Sequence, residues 1–452
     1  MLYKIIRLHK ANALYNRRLY DRYRCLEKGV PIFDRKPLFN DDRINNRINN
    51  DFFSEIVDFK TGYFAGAPIM YGYSKGEESE ETTGGKEAVD RATKALTDFV
   101  TRNNMYGCDM EITKFASIYG YAGRLFYIDL EGEVRVMPVP GYQTIILSDT
   151  SISEPEYAVR YYEVWDINRV KSWIVEFYDN TYVYTFKGYL SRLELVEQRE
   201  HLFDYCPLQG IANNIELRGD AEKVLPLIDD YDKVLSDNSN EIESFVHAYM
   251  VFKNLNVDEN VVRETQHNGA LKIKSTGTQE GDVYFLTKDI NDTYTEHHLD
   301  RLRDNIYRFS KTPNLNDDSF GSASGISLKF KLHGFETKCG MFEAKLMDAA
   351  QYMWKLLCGI WDKKNITVDP LQITMEFTRN FPLDTLSEAQ TVQALIAAGT
   401  PKEVAFSQLS FVDDVDYVME MIEKEQNGIT PLESEDDADD IDETAEGDVG
   451  VG

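Results

Sequence analysis

Three short runs hold residue types that could do chemistry. Gly84-Gly85-Lys86 has the ending of a phosphate loop, in which backbone N–H groups cradle phosphates and a following Ser or Thr holds magnesium. Glu87 stands where that Ser or Thr must be, and Glu80 stands at the first glycine of the motif. The chain is therefore not expected to be its own ATPase. Gly321-Ser322-Ala323-Ser324-Gly325 has the outline of a nucleophile elbow, but Ala323 occupies the place of the serine. Glu296, His297, His298 and Asp300 offer ligating atoms, yet adjacent histidines on a helix point about 100° apart and do not easily share one ion. His9, His201, His247, His267 and His333 are isolated. Cys25, Cys108, Cys206, Cys339 and Cys358 form no Cys-x-x-Cys pair, which argues against a disulfide framework or a zinc site and suits a reducing compartment with core thiols. No catalytic residue, metal or cofactor is expected.

The segment from Lys311 to Gly325, KTPNLNDDSFGSASG, is of another kind. The helical run before it, His297 to Phe309, cannot pass Pro313, whose ring clashes with the preceding turn and disfavours helix at Thr312. A helical run from Ile326 follows at once, extending to about Leu346 and onward toward Trp361, with Gly334 and Gly340 as places for a kink. Between the two lies a Gly-, Ser-, Asn- and Asp-rich loop with only Leu315 and Phe320 as apolar anchors. Such loops tend to carry function.

Around it the periodicity assigns elements. Leu2 to Glu27 is an amphipathic helix rich in Arg and Lys, and Asp51 to Tyr63 repeats the pattern with Phe52, Phe53, Ile56, Val57 and Phe59 on one face. Ser74 to Gly85 reads as an acidic loop and Lys86 to Asn103 as a helix; from Phe115 to Phe203 the period changes to two, which predicts a β-rich domain. From Pro226 no breaker occurs until about Lys253, so one helix about 40 Å long is expected. Its wet face would hold Asp229, Asp232, Asp237, Glu241 and Glu243, and its packed stripe Ile228, Tyr231, Leu235, Ile242, Phe245 and Tyr249. The alternating segments ALKIKS and DVYFLTK follow as a hairpin before the helix at His297. Beyond Asn365 come strands, then helices from Thr385 to Asn427 broken at Gly399-Thr400-Pro401.

The chain has 452 residues, 42% hydrophobic and 12% aromatic, enough for two or three folded domains. MLYKIIRLHK is charged and lacks an apolar run, so no signal peptide is expected. The most apolar helix, Leu346 to Trp361, is interrupted by Asp348 and Lys355 and falls short of the about 20 apolar residues that span a bilayer. No membrane insertion is expected. Net charge is −28, and the segment Glu433 to Asp448 carries no Lys or Arg, the pattern of a disordered acidic tail.

Three phrases of this chain resemble the portal proteins of tailed bacteriophages, of the siphophage type. The first is Tyr307, Phe309, Ser310 and Pro313 followed by Gly321, Ser324 and Gly325, with Asn314 where Asp is common and Ser322 where Asn is common. The second is Asn45-Asn46-Arg47-Ile48, Ile56-Val57-Asp58 and Gly62 to Ile69; the third is Leu227 to Tyr231 with Leu235 to Asn238. The resemblance spans roughly residues 40–345, with a weaker echo to about 425.

It implies an α+β, mainly α-helical portal fold. Its parts would be a β-rich wing (1–224), stem helices (225–256 and 292–310), a small α/β clip (257–291) and a tunnel loop (311–325). A long helix returning to the wing (326–376), a helical crown (377–428) and the acidic disordered tail (429–452) would complete it. It implies a homo-oligomeric ring, by resemblance a dodecamer, at one capsid vertex in the virion, assembled in the host cytoplasm, through which double-stranded DNA is packaged and ejected. Partners by resemblance are the terminase large subunit, the head–tail adaptor, and the scaffold and major capsid proteins. The tunnel loop would present Lys311, Asn314, Asn316, Asp317, Asp318, Ser319, Phe320, Gly321, Ser322 and Ser324 to DNA. The clip would present Lys272, Lys274, Gln279, Glu280, Asp282 and Tyr284 to terminase, and the stem would line the lumen with Asp229, Asp232, Asp237 and Glu241. Acidity suits a conduit, because sliding DNA must not be held. The alternatives are a connector without a channel and a capsid-associated nuclease or hydrolase using clustered carboxylates.

Overall fold

The computed structural model describes residues 1–37, 44–74, 83–147, 156–246, 249–253, 282–286, 292–315, 325–380, 385–409, 412 and 415–426. Helices are α1 (Leu2–Tyr23), α2 (Phe52–Ala65), α3 (Thr83–Arg102), α4 (Met105–Tyr119), α5 (Leu225–Val246), α6 (Asp292–Ser310) and α7 (Gly325–Lys363). They are followed by α8 (Thr385–Ala397), α9 (Lys402–Phe406) and α10 (Val415–Gln426). Strands are β1 (Met70–Tyr73), β2 (Tyr121–Ile128), β3 (Val134–Pro140), β4 (Thr144–Leu147), β5 (Tyr157–Trp165) and β6 (Lys171–Tyr178). The rest are β7 (Tyr182–Tyr189), β8 (Arg192–Glu200), β9 (Leu208–Ala212), β10 (Tyr249–Lys253), β11 (Asp282–Leu286) and β12 (Ile373–Glu376). The class is α+β, and the chain divides into two compact units, Met1–Asn380 and Phe381–Gly452.

In the first unit two antiparallel sheets carry the β-rich part, ordered β3-β2-β9 and β4-β5-β6-β7-β8. Three apolar clusters form successive layers. Ile6 of α1 packs on Ile145, Val159, Tyr161 and Val175 of the larger sheet. Ala158, Tyr178 and Val183 pack with Leu125, Val139 and Leu208 of the smaller. Phe126, Val134 and Val136 then pack with Leu96, Phe99 and the α7 residues Met353, Trp354, Leu357 and Trp361. The C-terminal half of α7 is thus buried in the main core, while its N-terminal end follows the loop of interest. In the second unit Val392 and Ala405 are buried, and the break between α8 and α9 falls at Gly399, whose φ is +88°.

Several expectations are corrected. Residues 105–119 are helical, so the β-rich stretch starts at Tyr121 and not at Phe115. Buried Met105, Ile112, Ala116 and Tyr119 show helical spacing, and Gly120 ends the helix at φ +89°, where a Cβ would lie 2.1 Å from the Leu217 carbonyl oxygen. The helix from Pro226 is not continuous to Lys253: α5 stops at Val246, and residues 249–253 form a strand paired antiparallel with 282–286, Tyr249 opposite Leu286. A partner strand 30-odd residues away outweighs the local pattern. The segment ALKIKS, its expected partner, lies outside the described residues. Ile373–Glu376 pairs with Met70–Tyr73. Cys25 is exposed, whereas Cys206, Cys339 and Cys358 are buried. Burial pushes those three thiols up to about 12, so they are inert core groups. The two-faced reading of α5 also fails in part: Asp232 is 1% exposed and Ile242 is 60% exposed.

Candidate functional site

The site is built where α5 and α6 pack together and where α6 hands over to the loop before α7. Leu299, Leu302 and Ile306 are the buried face of α6, and Ile228 is its counterpart on α5. Phe52 of α2 wedges between the two helices, edge-on to Tyr231 at 5.1 Å and to Tyr307 at 5.8 Å. His298 Nε2 stands 3.3 Å from Asp230 Oδ2 across the pair. Tyr307 donates to Glu55 at 2.8 Å, and burial together with that carboxylate pushes its phenol up.

The end of α6 is a fixed stop. The Thr312 N–H donates to the Tyr307 carbonyl at 3.1 Å and the Lys311 N–H to the Arg308 carbonyl at 3.3 Å, with Lys311 at φ +59°. This is the Schellman arrangement, with a lysine in the left-handed position that glycine usually takes. The Ser310 carbonyl, left over at the helix end, accepts from Lys338 Nζ of α7 at 3.0 Å. Lys338 therefore ties the last turn before the loop to the helix after it.

Lys338 belongs to a buried charge cluster. Asp220 lies 3.1 Å from Lys338 and 3.0 Å from Lys60 of α2, and it also accepts from Ser117 of α4 at 2.6 Å and from Asn213 at 3.2 Å. Lys60 Nζ also bonds Asn213 and lies 4.4 Å from the centroid of the Phe342 ring. Burial by itself would raise the Asp220 carboxyl, but the two ammonium groups hold it well below the carboxylate range. Burial lowers Lys338, and Asp220 works against that. Two cations and one anion thus sit dry at the junction of α2, α4, α6 and α7. A second buried pair, Arg124 with Asp109 at 2.8 Å, lies further into the core, where Tyr71 also donates to Asp109.

A third feature is an extended strap, residues 44–50, laid along α5. Asn50 N–H donates to Asp232 Oδ1 at 2.8 Å, Ile48 N–H to Ser236 Oγ at 3.0 Å, and Asn46 N–H to Asn240 Oδ1 at 2.6 Å. Every second residue of the strap meets every fourth residue of the helix. The two repeats match because two extended residues rise about 6.6 Å and four helical residues about 6 Å. The Asn46 side chain continues the series to Glu243 at 2.8 Å. Asp232 is the buried end of the series: its Oδ2 has no hydrogen-bond partner among the described residues, and burial raises its carboxyl to about 6.

Of the expected lumen residues, Asp229 bonds Arg22 at 2.6 Å, Asp237 bonds Arg35, and Asp232 is covered by the strap. Glu241 is half-buried. Lys311 is exposed and Asn314 half-buried at the base of the loop; Asn316, Asp317, Asp318, Ser319, Phe320, Gly321, Ser322 and Ser324 lie outside the described residues. Asp282 and Tyr284 stand in β11, while Lys272, Lys274, Gln279 and Glu280 lie outside. Sequence reasoning missed Lys60, Asp220 and Lys338. The available signal was a lysine on an apolar stripe: Lys60 follows Ile56 and Val57 at helical spacing, and Lys338 stands between Phe335 and Phe342.

Among the described residues no group of three or more His, Cys, Asp and Glu could hold a metal ion, and no helix is long and apolar enough to cross a membrane. The family model described as "Phage portal protein, SPP1 Gp6-like" matches residues 3–432. The chain is 24% identical over 426 residues to the portal protein of Clostridium phage phiCD119, covering 88% of each chain. It is 23% identical over 419 residues to the portal protein of Bacillus phage SPP1, covering 86% of this chain and 78% of that one.

Proposed function

This chain belongs to the phage portal protein family of the SPP1 Gp6-like type, a structural family of virion components, and on that premise we propose that it forms a ring-shaped channel at one capsid vertex. Double-stranded DNA enters through the ring during packaging and leaves through it at ejection. The terminase motor docks on it first and the head–tail adaptor later, with scaffold and major capsid proteins around it during assembly in the host cytoplasm. The observation that carries this reading is the family match over residues 3–432, which takes in the helix pair, the loop and α7 together.

In that frame α5 and α6 are the stem, the β10–β11 ladder belongs to the clip, and residues 311–325 are the tunnel loop. The β-rich layers up to residue 224 form the wing, and residues 377–428 form the crown. The construction at the loop's base supports this assignment. A loop that touches a moving duplex must yield while its attachment does not, and the Schellman stop with Lys338 on the Ser310 carbonyl provides such an attachment. The protein's work is mechanical, and no residue is assigned a catalytic role.

Light scattering on the size-exclusion peak, with negative-stain images of the same fraction, tests the ring. A closed ring of about a dozen subunits with a central hole is expected, and a persistent monomer or dimer overturns the reading. Deleting Leu315 to Ser322 should leave rings intact and abolish DNA packaging; continued packaging would remove the loop from the channel.

A further inference from the structure

The N-terminal helix is where the chain's charge reverses. Residues 1–28 carry eight Lys and Arg against two acids, net +6, in a chain of net −28, which leaves −34 on the remainder. One side of α1 is seated on the larger sheet through Ile6, and His9 bonds the hydroxyls of Tyr161 at 2.9 Å and Tyr121 at 3.0 Å. Beside that seat, α1 and the sheet enclose an open groove of about 790 Å³. Lys10, Arg17, Arg18 and Lys28 line it, together with an apolar floor that includes Leu14 and Trp173.

These four cations form no ion pair among the described residues; Arg17 only lies over the Tyr142 ring at 5.5 Å. The groove's own acids do not neutralise it, because Glu163 is held by Lys171 at 2.6 Å, and Asp21 and Asp34 leave the balance positive. Acids outnumber bases 77 to 49 in this chain, so a groove whose cations outnumber its carboxylates is a departure that solubility does not require. Leu8 and Leu14 stand exposed on the same helix.

We propose that this groove receives an acidic surface of a second copy of the chain and is the cationic half of the contact between neighbouring subunits. The proposal rests on the ring reading above. Identical subunits in a ring of more than two meet through two different patches, head to tail. With −28 on every copy, long-range repulsion opposes that contact, and a cationic patch on one side offsets it. The α1 groove meets that need. Duplex DNA fits it less well: phosphates are bound by cations and backbone N–H groups and make no use of an apolar floor. A carboxylate-bearing protein surface with apolar side chains uses both.

The experiment is sedimentation velocity on the full chain beside the triple variants K10E/R17E/R18E and K10Q/R17Q/R18Q, with and without a short DNA duplex. All three side chains are exposed, so thermal melts should match the wild type and exclude misfolding as the cause of any change. The expected result is a ring in the wild type, a tenfold or greater rise in the concentration needed for assembly with the Glu variant, and a smaller rise with the Gln variant. Normal assembly of the Glu variant beside an assembling wild type overturns the proposal and leaves the portal reading intact. Normal assembly with lost binding of the duplex also overturns it and makes DNA the occupant. A wild type that never assembles overturns both.

Discussion

Two buried aspartates of the same helical framework are handled in opposite ways. Asp220 lies between Lys60 and Lys338 and accepts from Ser117 and Asn213, and its carboxyl is held well below the usual range. Asp232 is buried too, yet it is met by the amides of Asn50 with no cation bonded to it among the described residues, one oxygen is unpaired among them, and its carboxyl rises to about 6. Burial acts on both in the same direction; partners decide the outcome. The difference teaches where the framework is rigid and where it can give. The Asp220 cluster locks the base of the loop to three other helices, whereas the strap over Asp232 is a seam held by amide hydrogen bonds without a cation bonded to Asp232.

The strongest way to break the comparison is Asp220→Asn, which leaves two ammonium groups buried without an anion. A loss of about 3–5 kcal/mol is expected from denaturant unfolding, the scale for removing one partner of a buried ion pair. A loss near that of an ordinary surface change would show that water reaches the cluster.

Asp232→Asn should act with the opposite sign. The folded carboxyl titrates near 6 against an ordinary 3.8, so holding the charge costs stability above pH 6, and the cost fades as pH falls toward 4. The variant should gain about 1 kcal/mol at neutral pH, less than the full linkage because Asn buries an amide of its own and solvent screens part of the charge. It should gain nothing near pH 4. Thermal melts across that range read the difference, and equal effects at both ends would remove the charge from the account.

Asn50→Ala removes one of the two donors to Asp232 and should cost about 1 kcal/mol. Hydrogen exchange should rise in residues 44–50 and not at the Asp220 cluster; exchange rising in both would show that the seam and the lock are one unit. The smallest effect is expected at the loop base. Lys311 holds φ +59°, so Lys311→Gly should relieve strain and stabilise by about 0.5–1 kcal/mol in chemical denaturation. Destabilisation there would mean that the lysine side chain contributes to the base.

Much of the architecture was legible because its signals are local. Pro313 ends the run of α6, Gly399-Thr400-Pro401 splits α8 from α9, apolar spacing gives α1 and α2, and α3, α6 and α7 read as helical runs. Where competing signals overlapped, local reading failed. The end of α4, from Phe115 to Tyr119, mixes aromatic and β-branched residues at helical spacing and reads locally as the start of the strand pattern, while Met105 to Lys114 is assigned no element from sequence. The site was less legible. Asn45 to Ile48 and Leu235 to Asn238 are both phrases of the resemblance, yet nothing in either phrase says that they meet, as Ile48 does with Ser236. Extended and helical repeats match only once the segments lie side by side.

The sequence by itself determined the α+β class, the two helices that flank residues 311–325, the family, and the charge contrast between the first 28 residues and the rest, because all of these are written in neighbours along the chain. Only the tertiary structure decided that residues 249–253 pair as a strand, that Asp232 is buried while Ile242 is exposed, and that Lys60, Asp220 and Lys338 meet. The physical reason is common to all three. Strand pairing, desolvation and ion pairing depend on groups distant in the chain, and their free energies are fixed by which surfaces the fold brings within a few ångströms of each other.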